Sequence, residues 1–388
     1  MSDTLIDRNL PLKRLRDEGY DVKIHEAHVV VDQVAYVTKD KKVKRGTLRS
    51  ALTLAGNDVT RPGSHTVQFT GDCCPCDSNG APMLQLPASG SETNFATLSR
   101  KPPVGYYEDY YEQMTTYVAL ISAPAKEIDP SADARVFPVI QPSEEESVFN
   151  YLDTASSRAG ITAVSKKLQK DRIVIIGIGG TGSYILDLMS KTPVKRIDIY
   201  DADTLLTHNA FRSPGAPSVE ELRQYPKKAS YFAARYSKMH RGIRPHEEQI
   251  NESNVADLKG ADFVFISMDP GKIKALIIEN LLDFGVPFID VGMGISLIDE
   301  TVSLTGMLRT TVGTPDRNDH LAELLRIRGG DEKNEYDQNI QIAELNALNA
   351  ALAVIKWKKL IGFYADLEKE FHSTYKTSSN RIVNGAQT

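Results

Sequence analysis

Cysteine is scarce in this chain: 388 residues hold three, Cys73, Cys74 and Cys76, crowded into one loop. That excludes the dispersed framework of a disulfide-stapled secreted fold. With no cysteine after Cys76, a tetrahedral Cys-x-x-Cys zinc site is excluded from the rest of the chain, and no zinc is expected. No apolar run approaches bilayer-spanning length, and residues 1–8 lack the charged-then-apolar pattern of a signal peptide. A cytoplasmic protein without membrane contact is the expectation. Strong charge is missing too: a net charge of −5 and a pI near 6.0 argue against a general nucleic-acid binder. Internal repeats and low-complexity tracts are absent. What remains is an ordinary globular composition, 41% hydrophobic and 25% charged, over a length sufficient for two or three domains.

The most informative stretch is DRIVIIGIGGTGSY, residues 171–184, followed by RIDIYDAD, residues 196–203. An apolar run at 173–176 breaks into glycines and resumes as an apolar helix pattern, which predicts strand, tight turn and helix. Gly177, Gly179, Gly180 and Gly182 let backbone approach a ligand closely, and a helix beginning near Thr181 aims free N–H groups at that spot, as a phosphate requires. Asp201 falls at the carboxyl end of the second predicted strand, where an acid meets a ribose. The spacing fits an NAD-dependent oxidoreductase equally well. A nucleotide is implied; its identity must come from other residues.

Residues 1–140 alternate short strand patterns (20–24, 28–31, 34–37, 66–70) with a helix at 10–16 and an aromatic-rich helix at 106–121, predicting a small α+β domain. The proline- and acid-rich residues 141–147 read as a linker. From 148 to 388 the pattern is one or two helices over 149–169, the glycine turn, helices at 218–223 and 228–240, then strand, helix, strand at 262–268, 272–284 and 287–291, with a return at 301–310. This predicts an α/β domain with a mostly parallel sheet. Residues 317–336 read as a polar surface loop or helix able to act as a lid. A long helix at 340–364 carries Ile342, Leu345, Leu348, Leu352 and Ile355 on one face, packing a core or a dimer interface.

Beyond the second strand come Asp201, Asp203, Asn209, Arg212 and Lys228, and Asp269 follows the later strand. With the doubled glycine at 179 and 180, this combination resembles the ThiF/MoeB/HesA family, the ubiquitin-activating fold, over about residues 150–310. The fold expected is therefore Rossmann-like, a ThiF-type adenylation domain behind the smaller α+β domain. The resemblance implies ATP-dependent adenylation of the C-terminal carboxylate of a ubiquitin-like or sulfur-carrier protein, in a bacterial ubiquitin-like modification pathway. It also implies a homodimer and a conjugating-enzyme partner. Carried over residue by residue, Gly177, Gly179, Gly180, Thr181 and Gly182 would line the phosphate loop, with Asp201 and Asp203 at the ribose end. Asn209, Arg212 and Lys228 would neutralise the triphosphate and Asp269 would hold Mg²⁺. Arg158 matches a family arginine that reaches the partner subunit's ATP. The chemistry calls for this set, because a carboxylate attacking a polyanion needs cations, metal and backbone donors already in place.

Two alternatives stay open at this stage: the oxidoreductase, and a non-catalytic nucleotide-binding subunit of an activating complex. Thioester-forming relatives use a cysteine in or beyond the adenylation domain, and none stands there in this chain. Either the protein stops at the adenylate, or it passes the acyl group to another protein's thiol, or it uses an N-domain cysteine, with Cys76 as the candidate. Asp72 and Asp77 beside its loop disfavour a thiolate, and a structural loop is the plainer reading. The first 140 residues are similar to a domain of unknown function that precedes ThiF-like domains in bacterial proteins.

Overall fold

The structure is a computed structural model that describes residues 2–56, 58–83, 95–140, 147–153, 162–298, 301–321 and 340–385. The chain forms two compact units: one from the N-terminal part, including 152–153, and one from 162 onward, including 147–151. Of the stretch read as a linker, 141–146 lie outside the described residues.

In the first unit, α1 (Ser2–Arg8) and α2 (Leu10–Asp17) precede β1 (Asp21–His25), β2 (His28–Val37) and β3 (Val43–Ala51). A small hairpin, β4 (Leu54–Ala55) and β5 (Asp58–Val59), leads to β6 (Thr66–Thr70) and β7 (Phe95–Ser99). Strands β1-β2-β3-β6-β7 form an antiparallel sheet in that order. The apolar patterns at 28–31 and 34–37 are one strand with a bulge, Gln33 taking φ +62° where the register shifts. Helix α3 (Tyr110–Ile128) covers the sheet, burying Met114, Tyr117 and Ile121 with Val29, Val31, Leu48 and Phe69. It starts later than the aromatic run suggested, because Asp109 caps it by accepting from the Glu112 N–H at 2.8 Å. It also continues past Pro124, since Ser122 donates to the Ala35 carbonyl and Ala125 packs on Ala35 and Val37.

The second unit contains α4 (Thr162–Ser165), β8 (Arg172–Ile176), α5 (Gly180–Met189), β9 (Arg196–Tyr200), α6 (Thr207–Ala210), α7 (Val219–Arg223), α8 (Lys228–Tyr236) and β10 (Ile243–His246). Then follow β11 (Phe263–Ile266), α9 (Lys272–Asp283), β12 (Phe288–Ile298), β13 (Ser303–Gly313), α10 (Ala343–Leu360), β14 (His372–Lys376) and β15 (Arg381–Gly385). The eight-stranded sheet runs β10-β9-β8-β11-β12-β13-β14-β15, parallel through β12 and antiparallel beyond. Its central parallel strands, β8 from Ile173 onward and β11, are continuous apolar runs because both faces are covered, whereas β9 carries Asp198 and the edge strand β10 carries Arg244 and His246. Ile173 and Ile175 point to a core shared with Ile185 of α5, Phe232 of α8 and Trp357 of α10. Val174 and Ile176 point to the opposite core, with Ile277 and Leu281 of α9.

Several expectations need correction. Residues 149–153 are not helical: Phe149 bridges to His240, and Asn150 donates its N–H to the Met239 carbonyl. The proposed lid at 317–336 begins as a turn between Thr314 and Arg317, and residues 322–339 lie outside the described residues. Of the apolar stripe assigned to the last helix only Leu345 is fully buried; Ile342, Leu348 and Leu352 are half-buried. Ile355 is 42% exposed, while Leu345, Asn346, Asn349, Ala350, Ala353 and Trp357 face inward. Small and amide residues win there because the helix crosses close to the glycine turn and to β12, where bulky aliphatics do not fit.

Candidate functional site

Sheet order reverses at β8: β9 and β10 lie on one side, β11 and β12 on the other. Open α/β sheets hold ligands at the carboxyl ends of the strands flanking such a reversal. Here the two carboxyl ends are tied together, Ser267 donating its N–H to the Ile176 carbonyl at 2.8 Å.

The turn after β8 is built from contacts that exclude side chains. Gly177 takes φ +85°, and a β-carbon on it would lie 2.2 Å from the Ser267 carbonyl oxygen. A β-carbon on Gly180 would lie 2.3 Å from Nδ2 of Asn346, and on Gly182 it would lie 1.9 Å from the Gly177 oxygen. Gly179 differs, for nothing lies within 4 Å of where its β-carbon would stand. Three of the four glycines therefore answer to the protein's own packing, whereas Gly179 borders open space at the start of α5. Gly179 is the N-cap of α5 and makes no side-chain cap there, so the helix start keeps donors for an anion.

Asp201 and Asp203 follow β9. Asp201 is buried, and its oxygens accept from the N–H groups of Ile178 (2.7 Å) and Asp203 (2.9 Å). Burial pushes its pKa up, opposed by the Lys228 charge and those two backbone donors. Each oxygen retains a further lone pair, so the carboxylate both shapes the turn and can accept from a ligand hydroxyl. Asp203 projects outward and receives Nζ of Lys228 at 2.8 Å. Lys228 opens helix α8, is buried and also bonds through its N–H to the Asp203 carbonyl.

Asn209 sits in α6, buried, its Oδ1 accepting from the Leu206 N–H at 2.9 Å while its Nδ2 has no partner. A buried amide donor left unpaired costs free energy unless a ligand meets it. Arg212 follows, half-buried, and its carbonyl accepts from Nδ2 of Asn346 at 3.3 Å. His208 is exposed over most of its surface, and partial desolvation of its ring together with the charges of Arg212 and Lys228 lowers its pKa. The structure thus gathers Asp201, Asp203, Lys228, Arg212 and the glycine turn into one connected neighbourhood. Thr181 belongs to it differently: its hydroxyl donates to Oδ1 of Asn346 at 2.8 Å.

Asp269 is exposed on the segment between β11 and α9, three residues beyond the strand that abuts the glycine turn. That segment is pinned by the buried Lys274, whose Nζ donates to the Met268 carbonyl at 2.9 Å and also pairs with buried Asp290. Asp290 in turn takes Nη2 of Arg309 at 2.6 Å. Among the described residues no group of three His, Cys, Asp or Glu side chains could hold a metal unaided. A single carboxylate such as Asp269 suits Mg²⁺ only when phosphates and water complete the shell. Arg158 lies outside the described residues. Cys76 is in the first unit, buried against Ala35, Val37, Ala125 and Ala132, and burial raises its pKa. Asn346, Asn349, Lys274, Asp290 and Arg309 escaped the sequence reading. Two amides three residues apart on an apolar helix, 346 and 349, were the available signal.

No helix among the described residues is long and apolar enough to cross a membrane. No curated protein matches the chain. Among solved structures it is similar to E. coli MccB with SeMet MccA (18% identity, TM-score 0.43, covering 57% of this chain and 65% of that one). It is also similar to E. coli MccB with ATP (20%, 0.43, 59% and 68%) and to SeMet PaaA (13%, 0.43, 57% and 75%). The chain thus spans 65% of the length of the first of these. A model for a domain of unknown function, DUF6791, matches residues 11–154, and that of the ThiF family matches residues 154–379. That second match takes in more than half of the chain, which therefore belongs to the ThiF family.

Proposed function

We propose that the second unit adenylates a carboxylate. It binds Mg-ATP in the crevice at the carboxyl ends of β8 and β11 and activates the C-terminus of a ubiquitin-like or sulfur-carrier protein. The observation that carries this reading is Gly179, with open space at a helix start; the partnerless Asn209 amide and the Lys228–Asp203 pair, on the segment after the neighbouring strand β9, support it. A triphosphate is the anion proposed for this position, its phosphates meeting the helix start and the donors of Asn209 and Lys228.

In the step proposed, a carboxylate oxygen of the carrier attacks the α-phosphorus, the bond from that phosphorus to the bridging oxygen breaks, and pyrophosphate leaves with its electron pair. Arg212, Lys228 and Asn209 offset the charge on the phosphates, and Asp201 accepts from the ribose. Asp269 would contribute one ligand to Mg²⁺, which supplies further charge neutralisation on the phosphates. Positioning and charge carry the rate, since little covalent work falls to the protein. Arg158 of a second copy would complete the site in a homodimer, and the first unit would recognise the carrier or a conjugating enzyme.

Calorimetry with the full chain tests the nucleotide: Mg-ATP is expected to bind with micromolar affinity and NAD not measurably. NAD binding without ATP binding would replace the reading with the oxidoreductase. ATP–pyrophosphate exchange, dependent on a carrier ending in Gly-Gly, then tests the reaction. ATP binding without exchange for any such carrier would leave the non-catalytic subunit.

A further inference from the structure

We infer that Asn346 is a positioning residue of this site, one amide that fixes the Arg212 loop against the start of the glycine-turn helix. The inference rests on ATP being the ligand of the crevice. Asn346 lies within helix α10, more than 130 residues from Arg212 in sequence, and is fully buried. Asparagine is a poor helix-interior residue and its amide is costly to bury unless bonded on both sides. Both sides are bonded: Oδ1 accepts from the Thr181 hydroxyl at 2.8 Å, and Nδ2 donates to the Arg212 carbonyl at 3.3 Å. The amide lies so close over Gly180 that no β-carbon fits there.

One turn further along α10, Asn349 is also fully buried and donates to the Gly292 carbonyl of β12 at 3.1 Å. This second bond fixes the rotation of α10 about its axis, so the Asn346 amide is itself held in place. The loop after α6, by contrast, is exposed at Phe211 and turns at Gly215. The Asn346 bond therefore joins an exposed arginine-bearing loop to the most constrained part of the sheet. Thr181 fits this role: its hydroxyl orients the amide, and acts on the ligand through Asn346.

The test is a double-mutant cycle read by ATP affinity, with adenosine as the control ligand. Asn346→Ala is expected to weaken Mg-ATP binding about tenfold and adenosine binding less than about twofold, because the proposed role of Arg212 is at the phosphates. In an Arg212→Ala background the same substitution should change ATP affinity by less than about twofold. Thr181→Val, which removes one bond from a side chain of equal shape, should lose about threefold, and again nothing when Arg212 is absent. Equal ATP affinity in a folded Asn346→Ala protein overturns the inference. So do losses that add fully to that of Arg212→Ala, which would mean the amide acts elsewhere. If the wild-type chain binds adenosine and ATP alike or neither, the nucleotide reading itself has failed, and that is visible before any variant is made. Should Asn346→Ala not fold, the Thr181→Val arm decides alone.

Discussion

The α-carbon of Gly182 packs directly on the Gly177 carbonyl, leaving 1.9 Å between that oxygen and a β-carbon placed on Gly182. Both partners are backbone, so nothing flexible can yield. Gly182→Ala should therefore destabilise the second unit by at least ~2 kcal/mol, lowering its melting temperature by roughly 5 °C. Gly179→Ala makes the opposite prediction, since its φ of −77° is negative and its side-chain position is open. Its melting temperature should stay within about 2 °C of the wild type while Mg-ATP binding falls at least about tenfold. Calorimetric scanning and titration on both variants separate packing from ligand contact. Normal ATP binding by Gly179→Ala would show that the open space is not where the ligand lies.

Lys228 is buried while its partner Asp203 is mostly exposed, and its charge is the largest influence opposing burial at Asp201. It thus steadies two carboxylates and, on the function proposed above, would also meet a phosphate. Lys228→Met should weaken Mg-ATP binding roughly 10- to 100-fold, the range expected for losing one charged hydrogen bond. It should also move the Asp201 carboxyl further above its usual range, since burial would act with less opposition. Carbon-detected NMR titration of the aspartates reads the second effect and calorimetry the first. An unchanged affinity would confine Lys228 to holding Asp203.

Much of this site was legible because the glycine turn and the acids after β9 lie close together in the chain, where spacing alone places them. The central parallel strands were equally plain, since burial on both faces makes continuous apolar runs such as 263–266, whereas the edge strand 243–246, with Arg244, Pro245 and His246, gave no such run. What escaped was set by packing between distant segments. Strands 372–376 and 381–385 carry short polar patterns and exist because β13 offers an edge. The buried face of α10 was misjudged for a related reason: its aliphatic stripe was counted, but Asn346 and Asn349 are buried because the backbone groups they satisfy belong to other elements. Lys274, Asp290 and Arg309 form their buried cluster from three elements, and no sequence interval reports that.

Cys76 offers a test of the thioester idea that needs no carrier. Its thiol is fully buried, directed to the Cys74 carbonyl at 3.4 Å, and held above its usual pKa by burial and by Cys73. The thiolate is the nucleophile, so both features slow it. Iodoacetamide should label Cys73, the least buried of the three, first. Cys76 should react at a comparable rate only after denaturation, as peptide mass spectrometry would record. Rapid labelling of Cys76 in the folded chain would restore it as an acyl acceptor.

Asp198, in the middle of β9, is one of the second unit's carboxyls held below the usual aspartate range, and the most buried of them. It is fully buried, and its oxygens accept from Nε of Arg172 at 2.6 Å and Nε of Arg196 at 3.0 Å, with Nε2 of His246 at 3.0 Å. The His246 ring also stacks on Tyr200, centroids 4.1 Å apart. Burial pushes the Asp198 pKa up, but hydrogen bonds from His246, Arg172 and Arg196 outweigh it, and the net shift is downward. A carboxyl whose folded pKa lies below its unfolded value stabilises the fold above the ordinary aspartate range. That contribution disappears as the pH falls through the folded value. Asp198→Asn should thus cost about 3 kcal/mol at pH 7, where it breaks a buried ion cluster. The gap between variant and wild type should narrow steadily below about pH 4, as the wild-type carboxyl takes up its proton. Urea midpoints measured between pH 7 and pH 3 give the comparison. A gap that stays constant across that range would mean that Asp198 contributes shape and packing, and that acid unfolds this unit through other carboxylates.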